Sequence, residues 1–362
     1  MKLEALLKDI RVLECTANLD LDIDNVYYDS RKVTENSLFV AISGFASDGN
    51  RFIPMALSKG AVAVVTAKKP EGDVPYILVE NDRLALAMLG INFYGRPAES
   101  MKLIGVTGTN GKTSTTLLLK QMLEMCLGAK VGLIGTMANM IGDEIIPTER
   151  TTPESFELQG LFARMRDAGC THVVMEVSSH ALTLDRVGGV HFDVAAFTNL
   201  TEDHLDFHKT MEDYCDTKAE LFARCDAAVI TPVFYDRHTS QGEIIRLFED
   251  VAAATKIDLI AYNILSFVVE KIDPATVSAL ADIDAVKGYK DSAAVFNDTV
   301  KVLNNLADRE DFSVLSGTPV QYMPSALLGC DGCVPGMASM YPKVFVEAYN
   351  ASLTGDVEKM RK

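Results

Sequence analysis

Apolar and polar residues fall in blocks along the chain, and the block lengths set the elements. Over residues 1–90 the apolar runs are short: LFVAI at 38–42, AVAVV at 61–65 and YILVE at 76–80. Short apolar runs bounded by turn residues predict buried strands. PMALSKG, at 54–60, predicts a short helix closed by Gly60. These pieces make a small α/β unit. FYGRPAESM, at 93–101, carries the turn residues of a linker.

A second unit starts at MKLIGVTG. LIGV, VGLIGT, THVVMEVS and VAAFTN predict strands, and AAVI starts another. TSTTLLLKQMLEMCL, FELQGLFARMRDAG and MEDYCDTKAELFARC have the length and period of helices. Strands alternating with helices predict a parallel, doubly wound sheet, and ligands of such sheets bind beyond the carboxyl ends of the strands. The glycine-rich turn after LIGV, Glu176 after VVM, and Asn199 after VAAFT all fall there. From about residue 231 the rhythm continues in a different character. TPVFY, LIAYNI, VKGYK, FSVLSG and GCDGCV read as strands, with GEIIRLFEDVAAAT, PATVSALADI, VFNDTVKVLNNLA and YPKVFVEAYNASLTG as helices.

Composition narrows the class. The 362 residues are 48% apolar and 23% charged, which suits a folded protein of two or three domains. A net charge of −16 disfavours non-specific nucleic-acid binding, because a phosphate backbone is repelled. The charged start, MKLEALLKDIRVLE, does not read as a signal peptide, and no apolar run is long enough to insert in a membrane. Seven cysteines, an odd number, fit a reduced cytoplasm. Cys330-Asp-Gly-Cys333 has redox or zinc spacing, but no second pair or histidines follow, and two small residues in a turn is the plainer reading.

The turn at 105–114, GVTGTNGKTS, joins a strand to a helix, the arrangement phosphate binding needs. Gly108, Thr109, Asn110, Gly111, Lys112, Thr113 and Ser114 form the candidate loop. Lys112 would reach the β- and γ-phosphates, and the Thr113 hydroxyl would ligate Mg²⁺. The general pattern wants a glycine at position 106, which is Val; the glycine sits one earlier, at Gly105. Asn110 suits either a turn or a ligand contact.

That departure and the motifs after it resemble the Mur ligases, which build the peptidoglycan stem peptide. The residues that carry the resemblance are GTNGKT; DSRKV at 29–33 with LFVA and DGNRFI; TTPES at 151–155; MEVSSHAL at 175–182; Arg186; FTNLTEDHLDFH at 197–208; and Asp216-Thr-Lys218. It covers residues 1 to about 230, most closely the member that adds the third amino acid. It implies an ATP- and Mg²⁺-dependent cytoplasmic ligase that takes UDP-N-acetylmuramoyl-dipeptide and an amino acid and proceeds through an acyl phosphate. In that reading Thr113 and Glu176 hold Mg²⁺, joined by Lys218 when carbamylated, and His204 lies near metal and phosphates. Thr151, Thr152, Ser178 and Arg186 hold the muramoyl-peptide part. Ser30 contacts the uridine, although a helix or turn cap explains it equally well on sequence alone.

From TPVFY onward the chain resembles the second half of the dihydrodipicolinate synthase and N-acetylneuraminate lyase family, (β/α)₈ barrels with a Schiff-base lysine. Lys290 in GYKDSA matches that lysine, and Tyr262 in LIAYNI the proton-relaying tyrosine. The Gly-Thr-Thr loop that binds the keto-acid carboxylate has no counterpart, and the Mur carboxy-terminal domain is expected to be missing. The expected organisation is therefore an α/β chain in three parts. Residues 1–95 form a uridine-nucleotide-binding domain, 96–230 a truncated P-loop sheet, and 231–362 a partial barrel whose open edges invite self-association. An aldolase, or a protein that binds the UDP-sugar peptide without turnover, is the alternative.

Overall fold

The computed structural model describes residues 1–44, 48–198, 207–231, 240–254, 256–265 and 270–361. The chain divides into two compact units, Met1–Arg224 and Cys225–Lys362.

The first unit holds two sheets. The amino-terminal one is built from β1 (Val12–Cys15), β2 (Asn25–Tyr27), β3 (Ser37–Ala41), β4 (Ala61–Thr66) and β5 (Tyr76–Val79), in the order β1-β5-β4-β3-β2. Only β1 is antiparallel to its neighbour. All five residues of β3 are buried, as a parallel strand covered on both faces requires. Leu38, Val40, Ala63, Val65 and Ile77 meet Leu86 and Leu89 of the helix Asp82–Phe93 in one core. The expected linker is a turn of 3₁₀ helix, Pro97–Ser100.

The second sheet comprises β6 (Lys102–Thr107), β7 (Val131–Ile134), β8 (Asn139–Ile141), β9 (Glu144–Ile146), β10 (His172–Glu176) and β11 (Val194–Phe197), in the order β11-β6-β10-β7-β8-β9. The first four in that order are parallel, with β6 between β11 and β10. This is the doubly wound arrangement expected. The antiparallel hairpin β8–β9 at its edge was not. The helices Lys112–Leu127 and Ser155–Asp167 are the crossovers.

The second unit has one sheet: β12 (Ala227–Ile230), β13 (Asp258–Asn263), β14 (Val286–Asp291), β15 (Ser313–Ser316) and β16 (Gly332–Cys333). Its strands are all parallel and lie in chain order, as in an arc of a (β/α) barrel. The arc does not close among the described residues. AAVI, placed with the P-loop sheet from sequence, is β12 and pairs with β13 instead. The expected strand TPVFY lies almost wholly outside the described residues. PVQYMPSAL is helical (Pro319–Leu327), which was not anticipated. No helix among the described residues is long and apolar enough to cross a membrane.

Candidate active site

The carboxyl ends of the four parallel strands of the middle sheet converge on one region. After β6 the chain enters the glycine-rich turn, with Gly108 at φ 135° and Gly111 at φ 87°. Both values are left-handed backbone that favours glycine. Among the described residues, a β-carbon at Gly111 would meet nothing within 4 Å. The helix Lys112–Leu127 begins at once, and its amino end gives the loop a partial positive charge. The Lys112 Nζ donates to the loop's own carbonyls, Gly108 O at 2.7 Å and Thr109 O at 2.9 Å. Thr198, just beyond β11, donates through Oγ1 to Asn110 O at 2.6 Å and ties the loop from the far side.

Glu176 ends β10 and is 1% exposed. Its carboxylate accepts from Thr113 Oγ1 at 3.0 Å, from Thr136 N at 2.9 Å and from Thr136 Oγ1 at 3.0 Å. Thr136, which follows β7, also shares a hydrogen bond of 3.0 Å with Thr151 Oγ1. Thr152 donates to Glu176 O at 2.9 Å and accepts from the Ser178 amide at 3.2 Å. Ser178 caps the short helix Ser179–Thr183 by accepting from the Ala181 amide. One carboxylate thus links the glycine-rich loop to the TTPES loop.

Arg186 completes this cluster. It donates to Thr152 O at 3.2 Å and pairs with Glu154 at 2.8 Å, both side chains mostly buried. Burial pulls the Arg186 pKa down, against the opposing influence of Glu154. Glu154 also faces Arg150 at 3.1 Å and Arg83 at 3.8 Å. Sequence reasoning missed both Glu154 and Thr136. Thr136 was findable, because it is the last residue of the predicted strand VGLIGT, at the carboxyl end where doubly wound sheets bind ligands.

Lys218, which reads as a solvated helix residue on pattern alone, is 1% exposed. Its Nζ donates to Gly108 O at 3.0 Å and lies 4.4 Å from the Tyr214 ring centroid. It therefore sits under the glycine-rich loop. His204 and Asn199 lie outside the described residues. A hydroxyl and a carboxylate in contact, Thr113 and Glu176, form a donor set that fits Mg²⁺, which takes few protein ligands and completes its shell with water and phosphate oxygens. No group of three or more His, Cys, Asp or Glu able to hold a metal occurs among the described residues.

Ser30 is nearly buried and donates to Met55 Sδ at 3.4 Å. It lines a cavity of about 1270 Å³ together with Arg31, Tyr94, Arg150 and Glu157. Beside it, Asp29 is held at a pKa of about 2, chiefly by the Arg31 guanidinium.

In the second unit, Tyr262 and Lys290 are register partners on β13 and β14. The Lys290 Nζ stands 3.8 Å from the Tyr262 ring centroid. Neighbouring Asp291 is buried and accepts from Thr299 Oγ1 at 2.6 Å. Cys330 and Cys333 are both free, and Cys330 Sγ donates to Val314 O at 3.0 Å.

Three family models match. Residues 22–94 match the Mur ligase family catalytic domain and residues 106–264 the Mur ligase middle domain. Residues 218–362 match the dihydrodipicolinate synthetase family. The chain resembles a Mur ligase in its first part and a dihydrodipicolinate synthetase in its last, and the two matches overlap over residues 218–264. The UDP-N-acetylmuramoyl-L-alanyl-D-glutamate–2,6-diaminopimelate ligase of Clostridium tetani is 49% identical over 235 residues, 64% of this chain and 48% of the relative. The enzyme of the same name from Bacillus velezensis is 39% identical over 316 residues, 85% of this chain and 63% of the relative. The chain thus spans about half the length of the first relatives it matches. A solved structure of a ligase of that name shares the fold, with a TM-score of 0.57 and 19% identity over 92% of this chain and 81% of that chain. The expected absence of a Mur carboxy-terminal domain finds no support, since the Bacillus alignment runs well past residue 230.

Proposed function

We propose that this chain is an ATP-dependent ligase of peptidoglycan-precursor synthesis, working in the cytoplasm. It would join an amino acid to UDP-N-acetylmuramoyl-L-alanyl-D-glutamate, and the names of its relatives make diaminopimelate the amino acid to test. The observation that carries the reading is the hydrogen-bonded path from Thr113 through Glu176 to Thr136, Thr151 and Thr152. It joins the glycine-rich loop and the TTPES loop through one buried carboxylate, which supports the reading.

ATP supplies the phosphoryl group that activates the substrate carboxylate, with Mg²⁺ offsetting phosphate charge. The loop amides of residues 108–114 and the Lys112 ammonium bind and orient the phosphates. Thr113 and Glu176 hold the metal side, and a carbamylated Lys218 would add a third oxygen donor. His204 belongs near the same phosphates. Thr151, Thr152, Ser178 and Arg186 orient the muramoyl peptide, and Ser30 lies where residues 1–95 would take the uridine. Residues 96–230 would be the ATPase domain and 231–362 the barrel-like domain. Titration calorimetry with the UDP-muramoyl-dipeptide and then ATP, followed by amino-acid-dependent phosphate release, tests the reading. Binding of both without release would favour a binding protein; binding of neither would remove the proposal.

One observation favours a second reading, a Schiff-base aldolase: Lys290 and Tyr262 lie side by side. The sequence has no counterpart of the carboxylate-binding loop, so a keto acid would not be held within reach. Incubation with pyruvate and borohydride should leave Lys290 unmodified by intact mass. A stoichiometric adduct mapped to Lys290 would favour the aldolase.

A further inference from the structure

Asn139 opens β8, is 3% exposed and lines the cavity of about 1270 Å³ that also holds Ser30. Other polar groups on that wall already have partners. Tyr28 Oη donates to Glu157 at 2.5 Å, Arg31 pairs with Asp29 at 2.8 Å, and Arg150 pairs with Glu154 at 3.1 Å. No hydrogen bond reaches the Asn139 side chain among the described residues. The two ends of its amide differ. Oδ1 is enclosed without a partner. Nδ2 also lacks a protein partner but is not enclosed, so it is the end left to the cavity.

This arrangement costs the fold. Asn is a poor strand residue, and a buried amide with both ends unpaired is destabilising. A leucine of similar size would fill the position without that cost. Residues that break a local rule at the expense of stability gather at functional sites. The position also says which part of a ligand is met. Asn139 is the register partner of Ile146 in the hairpin β8–β9, and five residues after Ile146 the chain reaches Thr151 and Thr152. Asn139 thus lies on the hairpin that leads into the TTPES loop, the part of the wall that the ligase reading gives to the muramoyl peptide. An NH₂ group donates, so its counterpart is an oxygen acceptor.

We propose that Asn139 is a substrate-binding residue whose Nδ2 donates to an oxygen of the muramoyl-peptide part. The inference rests on the ligase reading and adds a residue outside the motifs that carry the family resemblance. On the full ¹⁵N-labelled chain, UDP-N-acetylmuramoyl-L-alanyl-D-glutamate should shift the side-chain NH₂ signals of Asn139, and ATP should leave them in place. Asn139→Leu should weaken that ligand about tenfold by calorimetry, because its oxygen then faces an apolar wall. The same variant should keep its ATP affinity, and its urea midpoint without ligand should be no lower than that of the unmodified chain. NH₂ signals that stay put while other amides of the cavity shift would overturn the proposal and leave the ligase reading standing. So would unchanged affinity in Asn139→Leu, or a lowered urea midpoint, which would show that the amide serves the fold. No shift anywhere at millimolar ligand would overturn the proposal and the ligase reading together. The NMR comparison needs no variant.

Discussion

Glu176→Gln separates the fold from the metal. The carboxylate accepts three hydrogen bonds, from Thr113 Oγ1, Thr136 N and Thr136 Oγ1. In the glutamine the amide oxygen keeps the Thr136 N–H, and the two hydroxyls can turn to accept from the new NH₂ group. What is lost is charge assistance, about 1 kcal/mol per bond, partly offset because a buried charge no longer has to be kept out of water. The net loss of stability should be no more than about 2 kcal/mol. Glu176→Ala instead strands the Thr136 amide and both hydroxyls and should cost about 3 kcal/mol or more. The metal sees a different change, because a neutral amide is a poor ligand for Mg²⁺. Affinity for Mg·ATP should fall about 100-fold, or about 2.7 kcal/mol, with metal-free ATP binding nearly unchanged. Calorimetry with and without Mg²⁺, beside urea unfolding, reads both quantities. An unchanged Mg²⁺ dependence in a folded Glu176→Gln protein would refute the assignment of Glu176 to the metal.

Lys112→Ala should weaken ATP binding by about ten- to a hundredfold, because a charge-assisted contact is removed; unchanged affinity would reduce the loop to a helix cap. Glu154→Ala leaves Arg186 buried without its carboxylate and should destabilise the first unit by about 3–5 kcal/mol in urea unfolding; a loss under about 1 kcal/mol would show that Thr152 O alone satisfies the guanidinium. The Asp29 carboxyl, held at about 2 by Arg31, contributes stability that is full above the unfolded pKa near 4 and is lost as pH falls toward 2. A carboxyl-detected NMR titration should place its midpoint there, and Arg31→Ala should raise it; an unmoved midpoint would sink the attribution. In ¹³C-labelled bicarbonate at neutral pH, ¹³C NMR should show a carbamate carbon that Lys218→Arg removes, and absence of that signal would remove Lys218 from the metal site.

Much of the middle sheet was legible because each of its four parallel strands is a compact apolar run and each crossover helix keeps its period. The strand ends then located the glycine loop and Glu176 by the rule for doubly wound sheets. The hairpin β8–β9 was not legible, because three-residue strands in MANMIGDEII carry too few positions to show alternation. The burial of Lys218 was invisible for another reason. Its partner carbonyl, Gly108 O, lies 110 residues away in sequence, and no local pattern encodes that meeting. Glu154 lies inside the quoted TTPES motif but no local pattern marks it, and only the fold brings Arg83, Arg150 and Arg186 to it. AAVI is a strand in either neighbouring sheet by pattern, and its pairing with β13 is a tertiary choice.

The strand orders of the middle and last sheets carry a consequence for how the chain folds. In the second unit every strand pairs with the next one along the chain, so the sheet can grow by adding one neighbour at a time. The middle sheet cannot, because β6 is flanked by β10 and β11, and Ile104 meets Val194 across 90 residues of intervening chain. Closing so long a loop is slow compared with local pairing. During synthesis the glycine-rich turn is made early, but its tether from Thr198 arrives only when β11 does. In pulse-labelled hydrogen exchange after dilution from denaturant, amides of β13 and β14 should be protected before those of β6 and β11. The glycine-rich loop would then be among the last parts of its unit to take shape.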